Sequence, residues 1–494
     1  MSANASQSPA KMLPHQEAEQ RSNTNALQMI MAMGGENYIH SHPDLTNEQV
    51  DLIRCMSRCK TGKLGYTYYH CDGCNTISRF GRACHNSQCS NCQSSEADIF
   101  TEENMGYLVD APYFHIVFTL PDELIPLIKM NKRFFYDLII KAASQTILDL
   151  SEDKKFLGGK PGIVMVLQTF GSALNYRLHV HTIVAGAALN KDRTKILKAH
   201  ISESSKKAFF IPEAVMEPVY RAKFVAAMQD AWKKDKLRLP DDLQTLHDWQ
   251  IFKDRLFSKQ WIIYSKETFK NNGNALKYVS RYVGRIAIGN GRILSFDENH
   301  VSFRYKDYKD DNKLKVKTVS LQDFIGLYIQ HVLPRGFKKV RYFGFLWPSA
   351  RAKNLAIFKK LQGRQVYEPR FTRDTDKGQI SKILFGHTGP RCPYCGEYKL
   401  EYRVTTNSSG KIVFPLQAAL NAECYNFENL DDRQRSKVIQ YKEIAENHGY
   451  YHQMSLFPKP AQQWEDPNDP ENKRQELDLM RRTYLTPESL GVYH

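Results

Sequence analysis

The feature that most constrains the fold of this 494-residue chain is a block of cysteines near its N-terminus. Seven of the ten cysteines lie between Cys55 and Cys92, and this block contains two CxxC pairs, at 71/74 and 89/92. A CxxC turn can place two thiolates on one metal ion, and two such pairs complete a tetrahedral zinc site. We therefore predict that the two pairs share a structural zinc ion. Cys59 and Cys84 lie close to these pairs in sequence, so a second zinc ion is possible. The candidate ligands are Cys59, Cys71, Cys74, Cys84, Cys89 and Cys92.

A further CxxC pair, Cys392 and Cys395, lies far from this block. It provides half of a zinc-binding knuckle, and no second half follows it at a typical spacing. His387 and Cys424 are candidate partners. From the sequence alone, metal binding by this late pair stays open.

The charge balance indicates a polyanionic partner. There are 69 Lys and Arg residues against 53 Asp and Glu residues, a net charge of +16. Basic side chains neutralise phosphates and release their counterions, so nucleic acid is a natural partner. The polar first 25 residues lack a signal-peptide core, and no apolar run is long enough to span a bilayer. No GxxxxGK[ST] loop is present. We expect a cytoplasmic protein with no membrane partner and no nucleotide cofactor.

Composition and hydrophobic pattern divide the chain into five regions. These are a disordered leader (1–25), a zinc-binding region (26–100), a central region (101–300) with a helical insertion at about 190–260, a C-terminal region (301–457) and a tail (458–494). Three segments of the central region are rich in β-branched and aromatic residues and predict strands: Tyr113–Leu120, Gly162–Phe170 and Leu178–Ala185. The last two predict a β-hairpin.

Two histidines in the hairpin are candidate metal ligands. His179 and His181 are two residues apart in a predicted strand, so both side chains point to the same face. Two imidazoles on one face can hold a divalent ion. Gln168, on the preceding strand, is the candidate third ligand, and His115 on the earlier strand is the alternative.

Two tyrosines one helical turn apart are candidate nucleophiles. Tyr278 and Tyr282 lie in a predicted amphipathic helix, Asn274–Ile288, with basic residues beside them. A phenol attacks a phosphodiester only when it loses its proton during attack, because its ordinary pKa is about 10. A metal ion on the histidines would polarise the scissile phosphate. The product would be a 5′-phosphotyrosine bond, which keeps the energy needed for rejoining without ATP.

The order of these motifs resembles that of a known family. The segments His115–Pro121, Gln168–Val184 and Ala275–Ile288 resemble the three motifs of HUH-superfamily endonucleases. Together with the cysteine block and His331–Leu346, they resemble the two-tyrosine rolling-circle transposases of the insertion-sequence-91 family. The resemblance covers roughly residues 40–350.

The resemblance implies an α+β fold. A HUH endonuclease core, an antiparallel ferredoxin-like sheet with helices, would follow a small Cys-rich zinc-binding domain and precede a mixed C-terminal region. Mg²⁺ or Mn²⁺ would bind His179, His181 and Gln168, and Tyr278 and Tyr282 would be the nucleophiles. The cysteine block would bind one or two Zn²⁺ ions and take part in DNA recognition.

The implied partner is single-stranded DNA, both at the ends of the mobile element and in the target strand. The enzyme would work in the bacterial cytoplasm and be nucleoid-associated when bound to DNA. Basic residues expected to contact the DNA backbone are Lys277, Arg281, Arg285, Lys338, Lys339 and Arg341. The sequence does not give the oligomeric state, the DNA sequences recognised or the order in which the tyrosines act.

Two alternative functions are consistent with parts of the pattern. A rolling-circle replication initiator or a relaxase would use the same chemistry, and the cysteine block with the 331–346 segment favours a transposase instead. A non-catalytic zinc-containing DNA-binding protein would explain the charge and the cysteines. It would leave the ordered histidine and tyrosine motifs as coincidence. A transposase built on three carboxylates would require a cluster of acidic residues that nothing in the sequence singles out.

Overall fold

A computed structural model describes residues 25–86, 88–92, 94–199, 210–269, 286–308, 310–363 and 366–410. Several of the predicted features lie outside these residues: most of the leader, the tail, Cys424, and the tyrosine-helix residues Lys277, Tyr278, Arg281, Tyr282 and Arg285. Among the described helices, none combines the length and apolar character needed to cross a bilayer.

The N-terminal elements are two helices, a β-hairpin and a third helix. They are α1 (Ala26–Ser41), α2 (Asn47–Arg58), β1 (Tyr66–Cys71), β2 (Thr76–Gly81) and α3 (Ser94–Met105). Helix α2 begins with a capping box, in which the Gln49 N–H donates to Thr46 Oγ1 and the Thr46 N–H donates to Gln49 Oε1. This reciprocal pair satisfies two backbone donors and fixes the start of α2.

The central region folds as strands and helices in a β-α-β-β-α-β pattern. Its elements are β3 (Tyr113–Thr119), α4 (Ile125–Met130), α5 (Lys132–Ser151), β4 (Pro161–Phe170), β5 (Tyr176–Leu189), β6 (Ile196–Lys198), α6 (Glu213–Lys233), α7 (Leu246–Ser258) and β7 (Ile263–Phe269). The strand order is β4-β5-β3-β7, and all neighbouring strands are antiparallel. This is the ferredoxin-like arrangement, and the predicted strands and hairpin are confirmed.

The strands after residue 286 either pair with earlier strands or form a sheet of their own. The elements of this region are β8 (Ile293–Phe296), β9 (His300–Asp307), β10 (Lys313–Ser320), α8 (Leu321–Ile329), β11 (Val340–Phe343), α9 (Arg351–Gln362), α10 (Lys377–Phe385) and β12 (Leu400–Thr405). Strand β11 pairs with β4 at the edge of the central sheet, and β12 pairs with β1 of the N-terminal hairpin. Strands β8, β9 and β10 form a separate sheet.

One face of the central sheet carries the largest hydrophobic core. Phe114, Ile116 and Phe118 of β3 pack there with side chains of α5 and α6. The region expected to be a helical insertion contributes α6 and α7, whose Phe224 and Trp249 are fully buried in this core. Helix α6 is therefore the second connecting helix of the ferredoxin-like pattern. The opposite face of the sheet carries a smaller hydrophobic core, which includes Val164 and Ile183.

A second core joins the N-terminal helices to the segment after residue 286. Leu27 and Ile30 of α1 pack with Phe303 of β9 and with Phe324 and Ile325 of α8. The helix predicted for Asn274–Ile288 is wrong at its last three residues, 286–288, which are not helical. Residues 274–285 lie outside the described part. The N-terminal helices thus obtain much of their core from a distant part of the sequence.

His331, just after α8, is buried and uncharged. Its Nε2–H donates to the Leu174 carbonyl at 3.2 Å, and its Nδ1 lies 3.2 Å from Thr169 Oγ1, whose hydroxyl can donate to it. Burial lowers the pKa of His331, the hydrogen bond to the Leu174 carbonyl raises it, and the positive charges of Lys132 and Lys129 lower it. Together these effects lower the pKa to about 3. The imidazole is therefore neutral in the folded protein at ordinary pH.

We predict that this residue makes the protein less stable in mild acid. In the unfolded chain His331 takes up a proton below pH about 6.5, while in the folded chain it stays neutral down to about pH 3. The free energy of unfolding should therefore decrease as the pH falls below about 6.5. In the His331→Gln variant, the slope of the free energy of unfolding against pH should be smaller by up to about 1.4 kcal/mol per pH unit. Urea unfolding at several pH values measures the free energy of unfolding of both proteins.

Thr169→Val is the matched control, because it removes a hydrogen-bond partner of His331 but leaves the titrating group. It should lower stability at every pH and keep the wild-type pH dependence between about pH 7.5 and 5.5. An unchanged pH dependence in the His331→Gln variant would refute the assignment.

Candidate metal centres on the sheet and in the cysteine groups

The face of the sheet opposite the large core carries three histidines and a glutamine. His179 and His181 lie on the central strand β5, with the fully buried Val180 between them pointing to the other side. Gln168 of β4 lies directly opposite His179. His115 of β3 shares the face, because Val117, two residues further on, pairs with His181. The predicted ligand set therefore lies on neighbouring strands of one face.

A hydrogen bond determines which nitrogen of His179 is protonated, and His181 has a neighbouring imidazole as its partner. Nδ1 of His179 lies 2.7 Å from the Arg177 carbonyl, and since a carbonyl can only accept, this nitrogen carries the proton. Nδ1 of His181 lies 3.0 Å from His115 Nε2. If His181 Nδ1–H donates to this nitrogen, Nε2 is the unprotonated nitrogen of both histidines, and each can donate a lone pair to a metal ion.

His115 fits the role of a hydrogen-bond partner of His181. It is buried, and its ring stacks on that of His181 with centroids 5.2 Å apart. Burial lowers the pKa of His115 to about 4, and the positive charge that His179 can carry lowers it as well. A neutral His115 can accept the proton of His181 Nδ1, so the structure favours a supporting position for this residue.

The two Nε2 atoms are spaced as ligands of one ion. His179 Nε2 and His181 Nε2 lie 3.2 Å apart. Two ligand atoms at about 2.1 Å from an ion and at right angles lie about 3 Å apart. In the tautomers that leave both Nε2 atoms unprotonated, a bound cation offsets the repulsion between their lone pairs. These residues can hold a divalent metal ion, with Gln168 beside them as a further oxygen donor.

The basic residues at the start of β11 lie in different environments. Lys338 is exposed, and the Lys339 carbonyl accepts from the Leu167 N–H, which places this segment alongside β4 near Gln168. Burial lowers the pKa of Lys339 to about 8. Arg341 pairs with Asp137 and lies over the ring of Phe337. Of the three predicted phosphate-binding residues here, Lys338 is the most accessible.

Among the described residues, eight cysteines form two groups that could hold a metal ion. The first, here called the contiguous group, comprises Cys59, Cys84, Cys89 and Cys92, and the second, the discontinuous group, comprises Cys71, Cys74, Cys392 and Cys395. This corrects the predicted pairing, because the CxxC pairs at 71/74 and 89/92 belong to different groups. The reason is that β12 returns to pair with β1 and brings the late CxxC with it.

The contiguous group has the geometry of a zinc site. The Sγ atoms of Cys59 and Cys92, and those of Cys84 and Cys92, are 3.7 Å apart. Four sulfurs at about 2.3 Å from a tetrahedral zinc ion lie about 3.8 Å from each other. Cys55 and His85, near in sequence, belong to neither group. The four thiolates fit zinc and leave no position for water.

Two residues outside the cysteine block support this group, and no sequence pattern identified them. Gln28 Nε2 of α1 donates to Cys89 Sγ at 3.5 Å and to Ser90 Oγ at 3.1 Å. Tyr328 of α8 donates its hydroxyl to the Gln88 carbonyl at 2.5 Å. Such bonds orient metal ligands and the loop that carries them. Gln28 of α1 and Tyr328 of α8 thus lie at ordinary core-facing positions and also fix the loop that carries Cys89.

Comparison with known proteins identifies the class. Residues 162–354 match the family described as "Putative transposase", and residues 30–120 match the family described as "Transposase zinc-binding domain". The first match includes the histidine hairpin and the second includes the contiguous group. Transposases bind DNA, in keeping with the basic charge. The chain is thus a transposase with its own zinc-binding domain.

Two relatives specify the family. A protein of Sinorhizobium fredii named "Putative transposase y4qJ" is 31% identical over 365 residues, which cover 73% of this chain and 90% of the relative. The "Transposase for insertion sequence element IS801" of Pseudomonas savastanoi pv. phaseolicola is 26% identical over 361 residues, or 71% of this chain and 83% of the relative. No solved structure matches the chain. The chain belongs to the insertion-sequence-91 family of transposases.

Proposed function

We propose that this transposase cuts single-stranded DNA at the ends of its element through a tyrosine nucleophile and transfers the cut strand to a target. The observation that carries the proposal is the pair of histidine Nε2 atoms 3.2 Å apart on a central strand of the ferredoxin-like sheet. His179, His181 and Gln168 would hold Mg²⁺ or Mn²⁺. When bound, such an ion polarises a phosphate and offsets the negative charge that develops on its oxygens.

The proposed reaction exchanges one phosphodiester for another. The hydroxyl of Tyr278 or Tyr282 attacks the scissile phosphorus and loses its proton. The bond from phosphorus to the 3′ oxygen breaks, and that oxygen leaves as a hydroxyl after taking up a proton. The 5′ end stays linked to the tyrosine, so a second strand's 3′ hydroxyl can reverse the exchange without ATP. With two tyrosines, one can hold the donor strand while the other cuts again.

The chain's own residues position the two ligand histidines for this reaction. The Arg177 carbonyl accepts the Nδ1 proton of His179, and His115 would accept that of His181, so that both Nε2 lone pairs point at the metal position. Lys338, which is exposed beside the end of β4, would contact the DNA backbone. The contiguous group would hold a structural zinc ion in the DNA-recognition part of the protein.

We predict that covalent DNA adducts form only with intact histidines and tyrosines. The His179→Ala/His181→Ala variant should lose cleavage and keep DNA binding, because the DNA contacts do not depend on the metal ligands. The Tyr278→Phe/Tyr282→Phe variant should lose the adduct completely. The measurement is transfer of labelled single-stranded oligonucleotide to protein after denaturation in detergent, with Mg²⁺ or Mn²⁺.

Tyr264→Phe is the matched control, since this tyrosine is exposed on β7 and takes no part in the proposed reaction. It should form adducts at the wild-type rate. An adduct that survives in the two-tyrosine variant would reject the nucleophile assignment. If no adduct forms on authentic element ends, while zinc and DNA binding persist, the protein is better described as a DNA-binding module.

We further predict that His115 acts on the metal through His181. His115→Phe should weaken Mn²⁺ binding by about 10–100-fold, the usual effect of losing a hydrogen-bond partner of a metal ligand. His115→Gln should restore most of the affinity, because an amide oxygen can accept the His181 proton. Titration of Mn²⁺ followed by electron paramagnetic resonance measures the affinity.

Pulsed resonance on the same samples counts the nitrogens bound to Mn²⁺. The supporting role predicts two nitrogen ligands in the wild type and in His115→Gln. A third nitrogen ligand that disappears in the His115 variants would make His115 the direct ligand in place of Gln168.

A further inference from the structure

The discontinuous group brings together cysteines from the two ends of the described chain. The four Sγ atoms lie within 4.8 Å of one another. Cys71 and Cys395 sulfurs are 3.6 Å apart, and Cys74 and Cys392 sulfurs are 3.7 Å apart. A disulfide would need about 2.05 Å, while ligands of one tetrahedral zinc ion lie about 3.8 Å apart. The spacing is therefore that of metal ligands.

Both CxxC segments adopt the same turn. The Cys71 carbonyl accepts from the Asn75 N–H at 2.7 Å, and the Cys392 carbonyl accepts from the Gly396 N–H at 3.0 Å. The residue after the second cysteine is left-handed in each, with φ 57° at Asn75 and φ 78° at Gly396. Asparagine and glycine are the residues that adopt this conformation most readily. The site thus consists of two matching knuckles, each providing two sulfurs.

Backbone hydrogen bonds hold the two knuckles against each other. Strands β1 and β12 pair up to Cys71, and the Asp72 N–H donates to the Lys399 carbonyl at 3.0 Å. Cys71 and Cys392 are buried with Leu400, while Cys395 is exposed at the rim. The ligands are therefore positioned by the fold on both sides.

We propose that the discontinuous group binds a second structural zinc ion, which fastens the C-terminal segment to the N-terminal hairpin. Binding would displace the thiol protons to solvent and leave four thiolates around the ion. Thiolates favour zinc over Mg²⁺ or Mn²⁺, and a complete set of four leaves no open position for catalysis. The whole ferredoxin-like sheet lies between Cys74 and Cys392 in sequence. The zinc ion would therefore crosslink two segments that flank the proposed endonuclease core. The proposal does not depend on the tyrosine chemistry.

The test is the zinc content of the full-length protein, purified without added chelator and measured by mass spectrometry of the metal. The wild type should contain about two zinc ions per chain. Cys71→Ser/Cys74→Ser and Cys392→Ser/Cys395→Ser should each lose one ion. Because all four cysteines serve the same ion, the quadruple variant should also lose only one. Cys89→Ser/Cys92→Ser should lose the other ion.

The matched controls are a cysteine and a histidine outside both groups. Cys55→Ser should keep both ions. His387→Ala should as well, because His387 stacks on Tyr398 and its Nδ1 lies 3.1 Å from the Gly389 carbonyl. A wild type with one ion, or a Cys392→Ser/Cys395→Ser variant that keeps two, would overturn the proposal. A quadruple variant that loses both ions would show separate sites.

A conservative variant covers the case in which the serine variants fail to fold. Cys395 is exposed, so Cys395→His should fold, keep both metal ions and exchange one sulfur ligand for nitrogen. With Co²⁺ in place of zinc, the sulfur-to-cobalt absorption should fall from eight thiolates to seven, by about one eighth. An unchanged Co²⁺ spectrum would show that Cys395 is not a ligand and would reject the site.

Discussion

The candidate active site depends on the burial of one side of strand β5. Val180 is fully buried among the residues that pack under the sheet, and this fixes which residues point to the opposite face. Because side chains alternate along a strand, a slip of one residue would turn His179 and His181 into the core. Pairing with β3 on one side and β4 on the other prevents such a slip. The hydrophobic core therefore sets the position of the polar site.

The same register brings the supporting residues to the histidines. Gln168 faces His179 only because the hairpin pairs these two positions, and His115 reaches His181 only because β3 is the other neighbour of β5. His115 is costly to charge in its buried position, and its neutral ring is what the neighbouring histidine requires as an acceptor. The burial of His115 lowers its pKa and so keeps the ring neutral, which allows it to act as the acceptor for His181.

Much of this could be predicted from the sequence, where the signal is local. Alternation and β-branched residues identify β3, β4 and β5, and the period of two places His179 with His181. The part that sequence reasoning missed depends on distant segments. Cys71 and Cys392 belong to one group of cysteines because β12 returns to pair with β1. No sequence pattern near either CxxC pair predicts this strand pairing. The tyrosine assignment stays a prediction, since its helix lies outside the described residues.

The loop between β4 and β5 links the zinc-binding part to the face that carries the candidate metal ligands. Leu174, at the tip of this loop, is fully buried in the core that α1 shares with α8, and this core also includes Cys59 and Cys89. Its carbonyl accepts from Gln330 Nε2 at 3.0 Å and from His331 at 3.2 Å. A tip held in this way restricts the hairpin whose strands carry Gln168 and His179. Because Cys59 and Cys89 belong to this core, a zinc ion bound to the contiguous group would also stabilise the hairpin. A structural zinc ion in this fold would therefore help to fix the loop from which the strands with the candidate metal ligands extend.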